Sequence, residues 1–182
     1  MLKTLPTVSD CDMRHADSVV QDRATGMFRK MVLKDMWALV APYELPAQVP
    51  EDIRDQFDKA RHAFIYSWYS YDLATLAEQQ SYAVLEMALR ERYRAETPQA
   101  SDRPSLAKLL KIAQDRQWLN RDEFAVPSMS GAPGITFLLD MLPMLRNELA
   151  HGSTRLLPAG SLDMMRLCFE VIRKLFPPPA SP

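Results

Sequence analysis

From Glu51 to about Ala95 the chain contains neither glycine nor proline, the two residues that most often interrupt a helix. Apolar side chains recur through this stretch at helical spacing. They are Phe57, Ala60, Phe64, Trp68, Tyr71, Leu76, Tyr82, Leu85, Met87 and Leu89. Glu51 and Asp52 stand at its start, where the positive end of a helix dipole favours acidic residues. The stretch predicts one long helix or a slightly kinked pair of helices.

Composition favours helix in the rest of the chain as well. The 182 residues include eleven methionines and only five glycines, and 47% of them are apolar, which is enough for a well-packed core. Leucine and alanine are frequent, whereas runs of the β-branched residues that favour strands are few. We therefore expect an all-α protein made of one domain, with or without an appendage.

The net charge of −1 argues against a protein that coats nucleic acid by charge alone, because such binding needs a broad basic surface. The net charge does not exclude a local basic site that binds nucleic acid. No stretch approaches the roughly 20 apolar residues that a membrane span requires, and the start of the chain lacks the pattern of a signal peptide. We expect a cytoplasmic protein that does not bind membranes.

Metal and cofactor sites have little support in the sequence. Cys11 and Cys168 lie far apart and form no CxxC motif, and His15 and His62 lack partners at metal-ligand spacing. A glycine-rich phosphate loop is also missing. We expect free cysteines, no metal and no cofactor.

Composition divides the chain into four segments. We expect a flexible N-terminal arm over residues 1–16, an N-terminal helical extension with a proline-rich linker over 17–50, a helical domain over 51–176, and a disordered proline-rich tail over 177–182. Besides the long stretch, apolar spacing predicts four helical regions. They cover residues 17–40, with a break at Gly26, and about 105–119, 135–151 and 161–176.

Chemistry-bearing residues concentrate at the end of the helix predicted over residues 135–151. Asn147 and His151 are four residues apart and therefore share a helix face, and Arg146 has a stem long enough to reach the same place. Gly152 suits the position just after a helix, which would leave His151 in the last turn beside unpaired carbonyls. There the dipole favours the protonated imidazole. The sequence thus predicts a cation, an amide and a titratable base in one cluster.

The segment from Arg146 to Gly152 resembles the Arg-polar-(several residues)-His signature of the HEPN superfamily of all-α domains. The likeness extends to the order of helices from about Glu51 to Phe176. It implies an up-and-down bundle of about four to five core helices with the N-terminal segment as a helical extension. Glu86 would lie on a facing helix in this layout.

The resemblance implies metal-independent cleavage of RNA, but not DNA, at a composite site formed by a homodimer. His151 would exchange protons with the RNA, Arg146 would stabilise charge on the phosphate, and Asn147 would orient the phosphate or the imidazole. Glu86 would hold His151 in one tautomer. It also implies a toxin or defence effector restrained by a nucleotidyltransferase-like antitoxin or another regulatory protein.

Three alternatives stay open at this stage. Arg146 and His151 could serve only as helix-end caps in a non-catalytic helical module for dimerisation or protein interaction. The run of charges over residues 90–94 fits a solvated helix end, although Tyr93 beside arginines could also contact nucleic acid. The aromatic group over residues 64–71 fits either the core or a subunit interface.

Overall fold

The computed structural model describes residue 3 and residues 5–22, 24–99, 102–127, 135–150 and 158–178. These residues are mostly helical, which confirms the expected class. Short 3-10 turns cover Leu5–Thr7 and Arg121–Phe124. The strands are β1 (Val19–Gln21), β2 (Phe28–Lys30), β3 (Ala125–Pro127) and β4 (Ile135–Phe137). The helices are α1 (Leu33–Val40), α2 (Glu51–Tyr66), α3 (Leu73–Glu96), α4 (Leu106–Asp115), α5 (Leu138–Ala150) and α6 (Pro158–Leu175).

The long stretch without glycine or proline forms two helices in a hairpin, so the prediction of one long helix is wrong, and the predicted pair is separated by a full turn and not by a slight kink. A turn over residues 67–72 separates α2 from α3, and the two helices pack side by side. Ser67 is fully buried in this turn, and its hydroxyl donates to the Phe64 carbonyl over 2.7 Å. A serine that bonds its own backbone competes with helix propagation, which explains a turn that contains no helix-breaking residue.

The N-terminal segment, expected to be a flexible arm, packs against this turn. The Asp12 N–H donates to the Trp68 carbonyl over 2.8 Å, and His15 Nε2 lies 3.1 Å from the Ser67 carbonyl. The His15 ring is buried and stacks on Trp68 with 5.7 Å between ring centroids. These contacts satisfy two carbonyls that the turn removes from the helix, so the arm and the turn stabilise each other.

Residues 19–30 form a β-hairpin where a helix was predicted, and the expected helical extension is therefore wrong over this part. β1 and β2 pair antiparallel, with Gln21 opposite Phe28. The Asp22 carboxylate accepts the N–H groups of Ala24 and Thr25, and Gly26 has a φ of +72°. An aspartate turn followed by a glycine with positive φ reverses the chain. Only α1 keeps the predicted helical state.

Helix α3 lies at the centre of the bundle, between α2 and α6. Its apolar face contributes Val84, Leu85 and Leu89 to a core that also includes Phe57 from α2 and Ile172 from α6. Helices α4 and α5 pack against α3 as well. Each helix in the described ranges is too short or too polar to span a lipid bilayer.

The remaining helices differ from prediction at their ends. Helix α4 stops at Asp115 because Gln117 adopts a φ of +60°, and the Trp118 N–H donates to the Ala113 carbonyl over 2.8 Å, as in a Schellman motif. Helix α5 starts at Leu138 because β4 pairs with β3 just before it. Helix α6 starts at Pro158, since proline suits a first helical position. Residues 179–182 of the expected tail lie outside the described residues.

Candidate functional site

Helices α3 and α5 bring Glu86 next to Arg146. One Glu86 carboxylate oxygen, Oε2, lies 3.6 Å from Arg146 Nη2, and the other, Oε1, accepts from Arg90 Nη2 over 2.5 Å. The Glu86 side chain is 15% exposed and that of Arg146 43%. A mostly buried carboxylate therefore links two arginines and steadies Arg146, whose guanidinium keeps access to solvent.

A cleft of about 300 Å³ lies between the two helices at this ion pair. Its lining consists of Gln79, Tyr82, Ala83 and Glu86 from α3 with Arg146 and Leu149 from α5. This volume is at the small end of the range of ligand-binding pockets, about 300–1,000 Å³. It suits a compact anionic group such as a phosphate beside the guanidinium better than a large organic ligand.

Asn147 is exposed beside the cleft. Its side-chain oxygen accepts from Arg146 Nη1 over 3.3 Å, which joins the amide to the guanidinium. His151 lies outside the described residues, directly after Ala150, the last residue of α5. The structure thus brings together three of the four predicted site residues, Glu86, Arg146 and Asn147. The tautomer role predicted for Glu86 toward His151 stays a prediction.

Two adjacent α3 residues hold the helix ends on either side of the segment that contains His151. Gln79 Nε2 donates to the Leu149 carbonyl near the end of α5 over 3.4 Å. The buried Ser161 hydroxyl, in the first turns of α6, donates to Glu78 Oε2 over 2.8 Å. Glu78 and Gln79 therefore fix the end of α5 and the start of α6 against α3.

Glu78 is a carboxylate whose hydrogen bonds come from hydroxyl groups. Besides Ser161, the Tyr82 hydroxyl donates to its Oε1 over 3.4 Å. Burial raises the pKa of Glu78 above its usual value, although both hydrogen bonds act in the opposite direction. Burial likewise raises the pKa of Tyr82 and of the Cys168 thiol. Sequence reasoning missed Glu78 and Gln79, because their spacing reveals the helix face and not the partner across the bundle.

Both cysteines, Cys11 and Cys168, are free. No group of three or more His, Cys, Asp or Glu side chains with the geometry of a metal site occurs in the part of the chain that the structure describes. The chain matches no protein-family model, no curated protein and no solved structure.

Proposed function

We propose that the protein is a metal-independent endoribonuclease of HEPN type that acts as a homodimer in the cytoplasm. One observation carries the proposal. The Arg146 guanidinium lies in an open cleft, held by Glu86 and joined to Asn147, at the end of the helix that immediately precedes His151. A preorganised guanidinium can stabilise charge on a phosphate, and a histidine can transfer protons without a metal.

In the proposed reaction the 2′-oxygen of a ribose attacks the adjacent phosphorus while the bond from phosphorus to the 5′-oxygen breaks. One His151 imidazole takes the proton of the 2′-hydroxyl, and the protonated His151 of the second copy gives a proton to the departing 5′-oxygen. The products are a 2′,3′-cyclic phosphate and a 5′-hydroxyl. Arg146 stabilises the charge that develops on the non-bridging oxygens, and each proton transfer contributes about 10²- to 10⁴-fold in rate.

A partly exposed stripe on α3, in which Gln80 is half-buried and bonded to Gln56 of α2, supports the homodimer. Leu76 is 52% exposed, Met87 is 36% exposed, and Gln80 and the small, exposed Ala83 lie between them. The spacing of four, three and four residues produces one helix face on which a small residue allows close approach of a second helix. Ala83 also lines the cleft, so a second copy on this face would bring its own Arg146 close to the first.

Replacing Ala83 by arginine tests the dimer. The bulky charge should convert the dimer to a monomer in light scattering at constant protein concentration and should abolish cleavage. The matched control is Ala107→Arg, the same change at an exposed position of α4, which should leave the dimer intact. A parent protein that is monomeric at assay concentrations would contradict the composite site.

Cleavage of end-labelled RNA in excess chelator tests the chemistry. The parent should cut RNA, and Arg146→Ala should lower the rate about 10²- to 10³-fold, the usual effect of removing one stabilising donor. The control Arg173→Ala removes an exposed arginine that pairs with Glu170 on α6 and does not line the cleft, and it should retain activity. Equal rates for the two variants would refute a role for Arg146.

A second candidate function is a non-catalytic helical module for dimerisation or protein interaction. Nine of the thirteen large apolar side chains that are exposed within the described residues belong to residues 5–39, including Met27 and Phe28 of the hairpin at 70% and 71% exposure. Exposed apolar clusters are typical of protein interfaces. If the protein is a ribonuclease, we propose that a nucleotidyltransferase-like antitoxin or another regulatory protein restrains its activity. A stable, folded dimer that cleaves no RNA would favour the second candidate.

A further inference from the structure

Arginines and aromatic rings meet where the C-terminal ends of α3 and α4 come together. The guanidinium carbons of Arg92 and Arg116 lie 5.4 Å and 5.5 Å from the centroid of the Trp118 ring. Arg116 also lies 5.8 Å from the centroid of the Tyr93 ring. Both rings are only half-buried. We call these four residues, Arg92, Tyr93, Arg116 and Trp118, the arginine–aromatic patch.

A strained backbone positions Trp118 within this patch. Gln117, immediately before it, has a φ of +60°, a left-handed conformation that residues other than glycine rarely adopt. The Schellman hydrogen bonds from Gln117 and Trp118 back into α4 hold this geometry. Without that turn α4 would continue and carry residue 118 elsewhere. The strain is therefore coupled to the position of the Trp118 ring.

The patch is basic in a chain that is slightly acidic overall. Arg92 and Arg116 share one carboxylate, Glu96, at 3.0 Å and 3.1 Å. A guanidinium has five N–H donors, so one carboxylate between two arginines leaves donors for another acceptor. Asp102 Oδ1 accepts from the Tyr93 hydroxyl over 3.0 Å, and the carboxylates of Asp102 and Asp115 also pair with Lys108 and Lys111.

The patch and the cleft lie along the same helix. Glu86, in the cleft, and Tyr93 are seven residues apart on α3, a separation of about 10 Å. Arg90, which bonds Glu86, lies between them. Four arginines of the two sites pair with two glutamates, Arg146 and Arg90 with Glu86, and Arg92 and Arg116 with Glu96. A basic track with aromatic rings at one end is the usual arrangement for single-stranded nucleic acid.

We propose that the arginine–aromatic patch binds single-stranded RNA a few nucleotides from the cleavage point, with a base stacked on the layered rings and guanidinium planes of the patch and phosphates on Arg92 and Arg116. This inference rests on the proposed ribonuclease function for the identity of the ligand. It goes beyond it by assigning a second site that selects unpaired RNA, because bases inside a duplex cannot stack on protein side chains.

Fluorescence anisotropy of a labelled single-stranded RNA of mixed sequence tests the patch, with His151→Ala as the background so that the probe survives. Trp118→Ala should weaken binding about 5- to 100-fold, the usual effect of losing one stacking platform. Arg116→Gln should weaken it as well and reduce the slope of log affinity against log salt by about one. The control Lys111→Gln removes a neighbouring exposed cation and should change neither value.

Each outcome decides a separate claim. Arg116→Gln does not alter the core, so it keeps the test valid if Trp118→Ala fails to fold. Unchanged affinity for RNA in Arg116→Gln, or equal competition by polyglutamate and RNA, would overturn the proposal that the patch binds RNA, even if the parent cleaves RNA. If the parent binds RNA through the patch but cleaves none, the proposed RNA site is supported and the proposed ribonuclease activity is refuted.

Discussion

Removing the Ser161 hydroxyl should destabilise the protein by an amount that depends on pH. This hydroxyl is buried and donates to Glu78 Oε2 over 2.8 Å. A hydrogen bond to an ionised acceptor contributes about 1.5–3 kcal/mol, and one to a neutral acceptor about 0.5–1.5 kcal/mol. Ser161→Ala should therefore cost about 1.5–3 kcal/mol at about pH 8 and about half as much at about pH 4, where Glu78 is neutral.

The sign of the underlying pH dependence follows from the raised pKa of Glu78. The folded protein retains the Glu78 proton to higher pH than the unfolded chain, whose glutamate pKa is about 4.3. Its contribution to stability is thus complete below that value and is lost as pH rises through the folded pKa. Glu78→Gln keeps an acceptor for Ser161 and removes this loss, so its free energy of unfolding relative to the parent should increase with pH.

Urea unfolding of the parent and of Ser161→Ala at the two pH values measures the effect. For a chain of this length each kcal/mol corresponds to a shift in Tm of about 2–4 °C. The control is Ser81→Ala. Ser81 is buried like Ser161 but lies on α3, and its hydroxyl donates to the uncharged Ala77 carbonyl over 2.8 Å. Its cost should be the same at both pH values. An equal cost of Ser161→Ala at both values would refute the ionisation of Glu78 as the cause.

Three further predictions concern other parts of the molecule. Gln117→Gly should raise the free energy of unfolding by up to about 1 kcal/mol in thermal denaturation, because glycine adopts a φ of +60° without strain, and no gain would argue against strain there. Arg14 holds the pKa of Asp12 well below its usual range, so Asp12→Asn should lower Tm near neutral pH. The difference in Tm between parent and variant should shrink as pH falls below about 4. A difference in Tm that is constant with pH would contradict this. Glu86→Gln should slow RNA cleavage about 10- to 100-fold through misplacement of Arg146 while the melting curve stays close to that of the parent, and an unchanged rate would remove Glu86 from the site.

The elements that sequence could predict are those set by local signals. Apolar periodicity located α4, α5 and α6, and prolines located the linker before α2. The α2–α3 turn was missed because its cause is long-range. The carbonyls of Ser67 and Trp68 bond to His15 and Asp12, residues more than fifty positions earlier. The β1–β2 hairpin carried the local signal of Asp22 followed by Gly26, which a helical pattern of methionines obscured.

In the candidate site, too, local signals could be predicted from the sequence and long-range contacts could not. Arg146 and Asn147 follow from the motif itself, and Glu86 followed from the helix order that the resemblance implies. Glu78 and Gln79 had no sequence signal, since a polar residue on a long helix usually faces solvent. Their roles appear only once α5 and α6 are packed against α3. Contacts between helices distant in sequence therefore contribute the part of the site that spacing does not reveal.

The most direct test of the central claim uses an RNA in which every ribose but one carries a 2′-O-methyl group. In excess chelator the parent should cut only after the single free 2′-hydroxyl and leave a 2′,3′-cyclic phosphate, and His151→Ala should leave the strand intact. Cleavage at methylated positions, or equal cleavage by His151→Ala, would contradict 2′-hydroxyl attack assisted by this histidine.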